Sequence, residues 1–134
     1  MFIKFFELYA AAFLNFNPSF VSDVYEFPMI FYTDNGEIVS MKEDDFTENT
    51  KKLITIYEQI GVKSVTFKIE SNIVISKHLN LISIIWSFKD LDQNVIYNGT
   101  TRYVIRETNT KFKIKSVFVV EEMDKLNNLL AKEK

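Results

Sequence analysis

The chain has 134 residues, of which 47% are hydrophobic and 15% are aromatic, and its formal net charge at pH 7 is -2. A chain of this length is expected to form one domain that buries roughly two thirds of its unfolded surface. The weak negative charge gives no electrostatic basis for binding nucleic acid or an anionic membrane, so we expect neither partner.

The cysteine content and the N-terminal residues indicate in which cellular compartment the protein is expected. The chain has no Cys, so it can form neither disulfides nor thiolate metal sites. The apolar run at the N-terminus is interrupted by Glu7, contains Lys4 as its single basic residue and is too short to span a bilayer. We therefore predict a soluble protein of the cytoplasm.

In chain order, the first two predicted elements are helices. Over residues 2–16 the apolar side chains recur every three or four positions, which is typical of a helix with one face on a core. Asn17 followed by Pro18 favours the start of a second, short helix. This helix is predicted to end near Glu26, because Pro28 disfavours helical backbone in the residue before it.

A hairpin and a long helix are predicted next. Asn35-Gly36 lies between two β-prone runs, F-P-M-I-F-Y-T and E-I-V-S, and strongly indicates a hairpin turn. Ser40 and Glu43 fit a capping box at the start of the helix, and Gly61 marks its end. The apolar residues of this helix have helical spacing: Phe46, Leu53, Ile56, Tyr57 and Ile60.

Four strands and a tail complete the chain. Residues 62–75 alternate between apolar and polar side chains, which predicts the first of these four strands. After a bend at residues 76–78 come three more, L-N-L-I-S-I-I-W-S-F-K, N-V-I-Y-N-G-T-T-R-Y-V-I-R and K-F-K-I-K-S-V-F-V-V. We predict one domain over residues 1–121 and an amphipathic helical tail over residues 122–134, which packs on the domain, frays or binds a partner.

Side chains alternate between the two faces of a strand, which divides the last three strands into two sets. The larger, more apolar set is expected to face the helices: Asn80, Ile82, Ile84, Trp86, Phe88, Val95, Tyr97, Thr101, Tyr103, Ile105, Phe112, Ile114, Ser116, Phe118 and Val120. The outer set mixes basic and β-branched residues: Arg102, Arg106, Lys113, Lys115, Ile85, Val104, Val117 and Val119. A solvated basic face and a homodimer interface are both compatible with this outer set.

The inner set places hydroxyl, amide and indole groups among aliphatic and aromatic side chains. A fully hydrogen-bonded core and a ligand pocket both use this mixture. The aromatic content, with thirteen Phe, favours the pocket, because so many rings on one curved sheet are difficult to pack without a void.

The order of helix, short helix, hairpin, long helix and four strands resembles the nuclear transport factor 2-like superfamily, which includes ketosteroid isomerase and polyketide-cyclase-like proteins. The resemblance is carried by F-P-M-I-F-Y-T-D-N-G-E-I-V, S-K-H-L-N-L-I-S-I-I-W-S-F and G-T-T-R-Y-V-I-R. It implies an α+β, cystatin-like fold in which a strongly curved mixed or antiparallel sheet wraps around N-terminal helices as a cone-shaped barrel with an internal cavity. Members include isomerases, dehydratases, cyclases and non-catalytic binding or dimerisation modules, so the fold does not select the function.

Enzymes of this superfamily use a carboxylate or His in the cavity as a base. The inner set contains no Asp or Glu, which leaves Asp34, in the D-N-G turn, and His78, the single histidine, as catalytic candidates. A local turn role for Asp34 and a surface position for His78 are the competing interpretations. We expect no metal site and no cofactor, since ligand clusters and a glycine-rich phosphate loop are missing from the sequence.

These patterns predict a small binding protein that holds an apolar small molecule and forms a homodimer through the outer face of its sheet. The predicted ligand-binding residues are Tyr9, Phe13, Tyr32, Asn80, Trp86, Tyr97, Thr101 and Tyr103. One alternative is an isomerase or dehydratase with Tyr97 or Tyr103 as hydrogen-bond donor and Asp34 or His78 as base. Another is a protein–protein dimerisation module that uses the outer face or the tail.

Overall fold

The computed structural model describes residues 2–15, 23–109 and 111–120. Two helices and six strands lie within these ranges: α1 (Phe2–Leu14), β1 (Tyr25–Tyr32), β2 (Ile38–Met41), α2 (Glu43–Gln59), β3 (Ser64–Ser76), β4 (Leu79–Lys89), β5 (Val95–Glu107) and β6 (Phe112–Val120). The predicted α+β class is confirmed. The predicted helical tail over residues 122–134 lies outside the described residues.

The six strands form one mixed sheet in the order β2-β1-β6-β5-β4-β3. The β1–β6 pair is parallel, and the other neighbouring strands are antiparallel. Because β2 and β3 are edge strands that do not pair with each other, the sheet is open and does not close into the cone-shaped barrel that the resemblance implied. Both helices pack on one face of this sheet, which we call the inner face.

The short second helix was predicted too long at its C-terminal end. Residues 16–22 lie outside the described part of the chain, and Asp23 and Val24 are helical, but β1 begins at Tyr25 and contains both Glu26 and Pro28. Pairing of Tyr25 with Ile114 in β6 outweighs the local helical preference. Pro28, which has no N–H to donate, sits where the β1–β6 register shifts between residues 25 and 30.

The hairpin prediction is confirmed. β1 and β2 are antiparallel and joined by residues 33–37, with Gly36 at φ +82°. The Gly36 N–H donates a hydrogen bond of 3.0 Å to the Thr33 carbonyl. This turn brings β2 back along β1, so that Val39 and Met41 reach the inner face beside α2.

The predicted cap at the start of α2 was wrong, whereas the predicted end of this helix is confirmed. Ser40 belongs to β2 and pairs with Ile30, so the capping box was wrong, and Lys42 is an N-cap without a side-chain hydrogen bond. At the other end the Gly61 N–H donates to the Glu58 carbonyl at 3.1 Å and the Val62 N–H to the Tyr57 carbonyl at 2.9 Å. This pair of bonds, with Gly61 at φ +86°, is a Schellman motif and confirms the predicted stop.

The division into inner and outer side chains is confirmed for β4 and for most of β5. On β4 the predicted inner residues are all buried: Asn80, Ile82, Ile84, Trp86 and Phe88. On β5 the predicted residues from Tyr97 to Ile105 are also buried, but Val95 at the strand's start is 52% exposed. Helix α1 covers this face with Phe6, which is fully buried between Trp86 and Tyr103.

On β6 the division was wrong beyond Ile114, because a β-bulge intervenes. Ile105 pairs with Ile114 and Val104 pairs with Ser116, which leaves Lys115 as an extra residue. The bulge exchanges the two faces for the rest of the strand. Val117 and Val119 are therefore buried on the inner face, whereas three residues predicted to be inside lie on the outer face: Ser116, Phe118 and Val120.

Candidate ligand cavity

A cavity of about 510 Å³ lies between the two helices and the inner face of the sheet. One water molecule occupies about 30 Å³ of liquid, so this space is far larger than a packing gap. Its walls are mainly aromatic and aliphatic, and they come from α1, α2 and all six strands: Tyr9, Ala10, Tyr25, Met29, Phe31, Thr33, Val39, Met41, Phe46, Asn49, Thr50, Lys52, Leu53, Ile56, Tyr57, Val65, Trp86, Phe88, Thr101, Tyr103, Val117 and Val119.

Four aromatic side chains of the cavity wall form hydrogen bonds with each other in pairs. The hydroxyl groups of Tyr9 and Tyr25 lie 2.7 Å apart and share a hydrogen bond. The Trp86 Nε1–H donates to the Tyr103 hydroxyl at 3.2 Å, and both of these residues are buried. Since buried polar groups need partners, these bonds make the position of each ring well defined.

The wall formed by α2 is mostly apolar, with one internally bonded hydroxyl. Phe46 packs on Tyr25 at a centroid distance of 4.3 Å, and Tyr57 packs on Phe88 at 4.7 Å. The Thr50 hydroxyl is buried and donates to the Phe46 carbonyl one turn earlier at 2.9 Å. These contacts fix the distance between α2 and the sheet.

Three lining residues are exposed to solvent and form the part of the wall that we call the mouth: Val39, Asn49 and Lys52. Asn49 and Lys52 are one turn apart on α2, and Val39 faces them from β2. The Asn49 Nδ2 lies 3.7 Å from the Met41 sulfur. Among the described residues that line the cavity, Lys52 is the only charged one.

The predicted ligand-binding residues are not all brought together. Tyr9, Trp86, Thr101 and Tyr103 line the cavity. Asn80 and Tyr97 are buried on the inner face but lie outside the lining, with the Tyr97 ring stacked on Phe88 at 4.7 Å. The side chain of Phe13 lies outside what the structure describes.

Tyr32 was predicted to close the cavity and instead lies on the outer face. Its ring stacks on Phe118, with centroids 4.4 Å apart. The preceding residue, Phe31, takes the inner position, because Phe31 pairs with inward-facing Val117.

Neither catalytic candidate lines the cavity. Asp34 is half-buried in the hairpin turn, and His78 is exposed in the two-residue turn between β3 and β4. No Asp, Glu or His occurs among the lining residues within the described ranges. In those same ranges, no three His, Cys, Asp or Glu side chains cluster as metal ligands would.

Several lining residues were missed from the sequence. The helical spacing of the apolar residues of α2 was recognised, but the role of these residues as a cavity wall depends on the distance between the helix and the sheet. Met29, Val117 and Val119 were missed because irregular pairing at residues 25–30 and at Lys115 sets which side chains point inward. The sequence carries no evident signal for either irregularity.

Charges on the outer face are partly neutralised by an acidic residue of β1. Arg106 donates two hydrogen bonds of 2.9 Å to the Glu26 carboxylate, and the Lys115 ammonium group lies 3.3 Å from it. Lys113 donates to the backbone carbonyl of Asp23. Burial opposes ionisation of Glu26, but the hydrogen bonds and charges of Arg106 and Lys115 outweigh it and hold the pKa of Glu26 below its ordinary value.

The fold and the cavity place the protein among small α+β domains with helices packed on one face of a mixed sheet. A family model described as NTF2-like protein (DUF6841) matches residues 2–122, and the chain belongs to this family. The predicted membership of the nuclear transport factor 2-like superfamily is thereby confirmed. No curated protein matches the chain.

Solved structures share this fold at low sequence identity. An NTF-2 like protein of unknown function from Shewanella oneidensis MR-1 is 15% identical, with 83% of this chain and 88% of that chain covered and a TM-score of 0.62. A domain of unknown function with a cystatin-like fold from Nostoc punctiforme PCC 73102 is 10% identical, with 92% and 88% covered and a TM-score of 0.61. A ketosteroid isomerase-like protein from Erwinia carotovora atroseptica SCRI1043 is 11% identical, with 84% and 86% covered and a TM-score of 0.57.

These identities establish a shared fold and nothing about shared chemistry. With regard to membranes, neither described helix combines the length and the apolar character that a crossing would require.

Proposed function

We propose that this protein binds an apolar small molecule in the cone-like space between α1, α2 and the inner face of the sheet. The observation that carries the proposal is the cavity of about 510 Å³ lined mainly by aromatic and aliphatic side chains. Ligand sites have volumes of roughly 300–1,000 Å³ and walls of this composition. Burial of an apolar ligand against such walls is favourable by roughly 25 cal/mol for each Å² removed from water.

The polar groups of the lining also support binding rather than catalysis. The pairs Tyr9–Tyr25 and Trp86–Tyr103 bond within the wall, so an apolar molecule can lie against these rings without breaking hydrogen bonds. The isomerase or dehydratase alternative requires Asp34 or His78 in the cavity, and neither side chain is part of its lining.

A cavity-filling substitution tests the proposal. We expect N-phenyl-1-naphthylamine, a neutral dye that fluoresces in apolar surroundings, to bind the unaltered protein. Val119→Phe replaces a small aliphatic side chain of the cavity wall with an aromatic ring and should weaken dye binding at least tenfold. The matched control is Val120→Phe, the same change at the next residue, which lies on the outer face and should leave dye binding unchanged.

If Val119→Phe does not fold, Leu53→Phe fills the same space from the opposite wall and carries the same expectation. Equal dye affinity of the inner-face variants and the Val120→Phe control would contradict binding in this cavity. So would the lack of any dye binding by the unaltered protein.

We also propose that the outer face of the sheet joins two copies of this chain. Directly paired residues form a row across five strands of the outer face, and all of them except the serine are apolar: Ile30, Ser116, Val104, Leu81 and Ile73. Beside it lie Ile38, which is 67% exposed, and the stacked rings of Tyr32 and Phe118. Contiguous apolar surface of this kind is typical of an interface.

The charges on this face favour a second copy as the partner. Arg102 is exposed and pairs opposite Ser83, whose hydroxyl donates to the Glu70 carboxylate at 3.1 Å. The basic side chain of Arg102 and the acidic side chain of Glu70 therefore lie on either side of Ser83. In a two-fold dimer each surface meets itself, so Arg102 of one copy can pair with Glu70 of the other.

A charge exchange tests this arrangement. Arg102→Glu and Glu70→Arg should each weaken dimerisation in sedimentation equilibrium, by about threefold to tenfold at low salt, and the double variant should restore it. A monomeric unaltered protein would contradict the dimer. Failure of the double variant to recover would contradict the pairing of these two residues.

A further inference from the structure

The mouth of the cavity differs chemically from its interior. Inside, the hydroxyl groups of Tyr9 and Tyr25 bond to each other, and the Trp86 indole donates to the Tyr103 hydroxyl. At the mouth, by contrast, Asn49 and Lys52 present N–H donors to solvent from one face of α2. The polar recognition of a ligand is therefore expected at the mouth.

Lys52 is available for a negatively charged partner. The adjacent Lys51 lies 3.6 Å from the Glu48 carboxylate, whereas Lys52 forms no ion pair with any residue in the described ranges. Among the described side chains, the Asn49 amide donates a hydrogen bond only to the Met41 thioether, at 3.7 Å. A thioether is a weak acceptor, so an anionic oxygen would be a better partner for this amide.

The charge of the cavity lining has one sign. The described lining contains one basic side chain and no acidic one. A ligand with a negative head therefore gains an interaction there that a neutral or positively charged ligand does not.

We propose that the ligand is an amphipathic carboxylate, with its apolar body in the cavity and its carboxylate held at the mouth by Lys52 and Asn49. This inference rests on the proposed function, since it requires that the cavity bind an apolar body. It adds the chemical class of the ligand and the two residues that select it. A lysine that forms no ion pair within the described ranges, at the rim of an otherwise apolar wall, is the feature that carries it.

Three ligands with eight carbon atoms and different head groups distinguish recognition of the head group from binding of the apolar chain: octanoate, 1-octanol and octylamine. Trp86 is the single tryptophan of the chain and lines the cavity, so its fluorescence reports occupancy directly. We expect octanoate to bind about threefold to tenfold more tightly than 1-octanol at low salt, and octylamine to bind most weakly. Added salt should reduce the advantage of octanoate and leave 1-octanol unaffected.

Substitutions assign the preference to its residues. Lys52→Gln should remove most of the preference for octanoate over 1-octanol, and Lys52→Glu should reverse the order in favour of octylamine. Asn49→Ala should lower octanoate affinity by a smaller factor. Lys51→Gln is the matched control, because Lys51 neighbours Lys52 on the same helix but does not line the cavity, and it should preserve the preference.

The outcomes distinguish this inference from the proposal on which it rests. Equal affinity for octanoate and 1-octanol in the unaltered protein, or an octanoate preference that Lys52→Gln leaves undiminished, would overturn the inference and leave the apolar site standing. If none of the three ligands changes the fluorescence of Trp86, the proposed function itself fails. The reversal expected for Lys52→Glu is a gain of binding, which a misfolded variant cannot imitate.

Discussion

The ring of Phe118 in β6 stacks on the ring of Tyr32 in β1, with centroids 4.4 Å apart and planes inclined by 4°. The pair lies on the outer face, because the bulge at Lys115 exchanges the two faces of β6 beyond that residue. Strict alternation from Phe112 would have placed the Phe118 ring inside. The same bulge thus supplies two valines to the cavity and an aromatic pair to the proposed dimer interface.

Replacing Phe118 by Lys should abolish the dimer. The substitution places a charge in the centre of the apolar surface, where pairing with a second copy would leave it without water or a partner. Light scattering should give the mass of one chain. Loss of ring stacking should also lower the free energy of unfolding by about 1 kcal/mol.

Leu91→Lys provides the control for this change, because Leu91 is an exposed apolar residue in the loop between β4 and β5. It should leave the mass unchanged. A Phe118→Lys protein with the mass of the unaltered protein would contradict the assignment of the interface to the outer face.

Glu26→Gln should reduce stability in a manner that depends on pH. The pKa of Glu26 is lowered from an ordinary value of 4.5, so the ionised carboxylate stabilises the folded state above that pH. This stabilisation is lost as the pH falls through the lowered pKa. We expect Glu26→Gln to cost about 1 kcal/mol at neutral pH, since Arg106 is partly exposed, and the difference to shrink below pH 4.5.

Urea unfolding at a series of pH values measures this difference. Glu58→Gln, an exposed residue of α2, should change the unfolding free energy by less than about 0.5 kcal/mol at every pH. A Glu26→Gln cost that stays constant into the acidic range would show that the carboxylate's charge is not the stabilising feature.

Tyr103→Phe should destabilise the fold by about 1–3 kcal/mol. It removes the hydroxyl that accepts from Trp86 Nε1 at 3.2 Å, which leaves a buried donor without its partner. Chemical denaturation followed by circular dichroism measures the loss. Tyr32→Phe removes a hydroxyl from the half-exposed outer face and should cost less than about 0.5 kcal/mol, so equal costs would contradict the structural role of the Trp86–Tyr103 bond.

Gly61→Ala should cost about 1–2 kcal/mol. At φ +86° an L-residue is strained, yet a Cβ at this position meets no atom within 4 Å, so the cost arises from the backbone alone. Gly61→Asn should cost less, because Asn tolerates left-handed backbone better than Ala. Thermal unfolding compares the two variants, and an Asn variant no more stable than the Ala variant would contradict this explanation.

Much of the fold follows from local patterns in the sequence. The helical spacing in α1 and α2, the Asn35-Gly36 turn and the stop at Gly61 each depend on residues close together in the chain. The alternation on β4 and β5 is equally clear, since polar and apolar residues separate well there. Elements of this kind can be predicted because the conformational preferences of residues close together in the chain determine their structure.

The wrong predictions concern segments whose structure depends on pairing with a strand that is distant in the sequence. Tyr25 and Glu26 continue a helical pattern locally, but parallel pairing with β6 makes them part of a strand. From Val117 to Val120 every residue of β6 is apolar, so alternation cannot show which face is buried once the bulge at Lys115 changes the register. The cavity wall formed by α2 depends on the helix–sheet distance, which no single segment encodes.

Nuclear magnetic resonance with isotope-labelled 1-octanol tests the central claim most directly, because it locates a neutral ligand independently of the charge at the mouth. Binding in the cavity predicts nuclear Overhauser effects from the alkyl chain to the Trp86 indole and to the methyl groups of Leu53 and Val119. Effects confined to outer-face residues such as Ile85 and Val104, or none at saturating 1-octanol, would contradict the account.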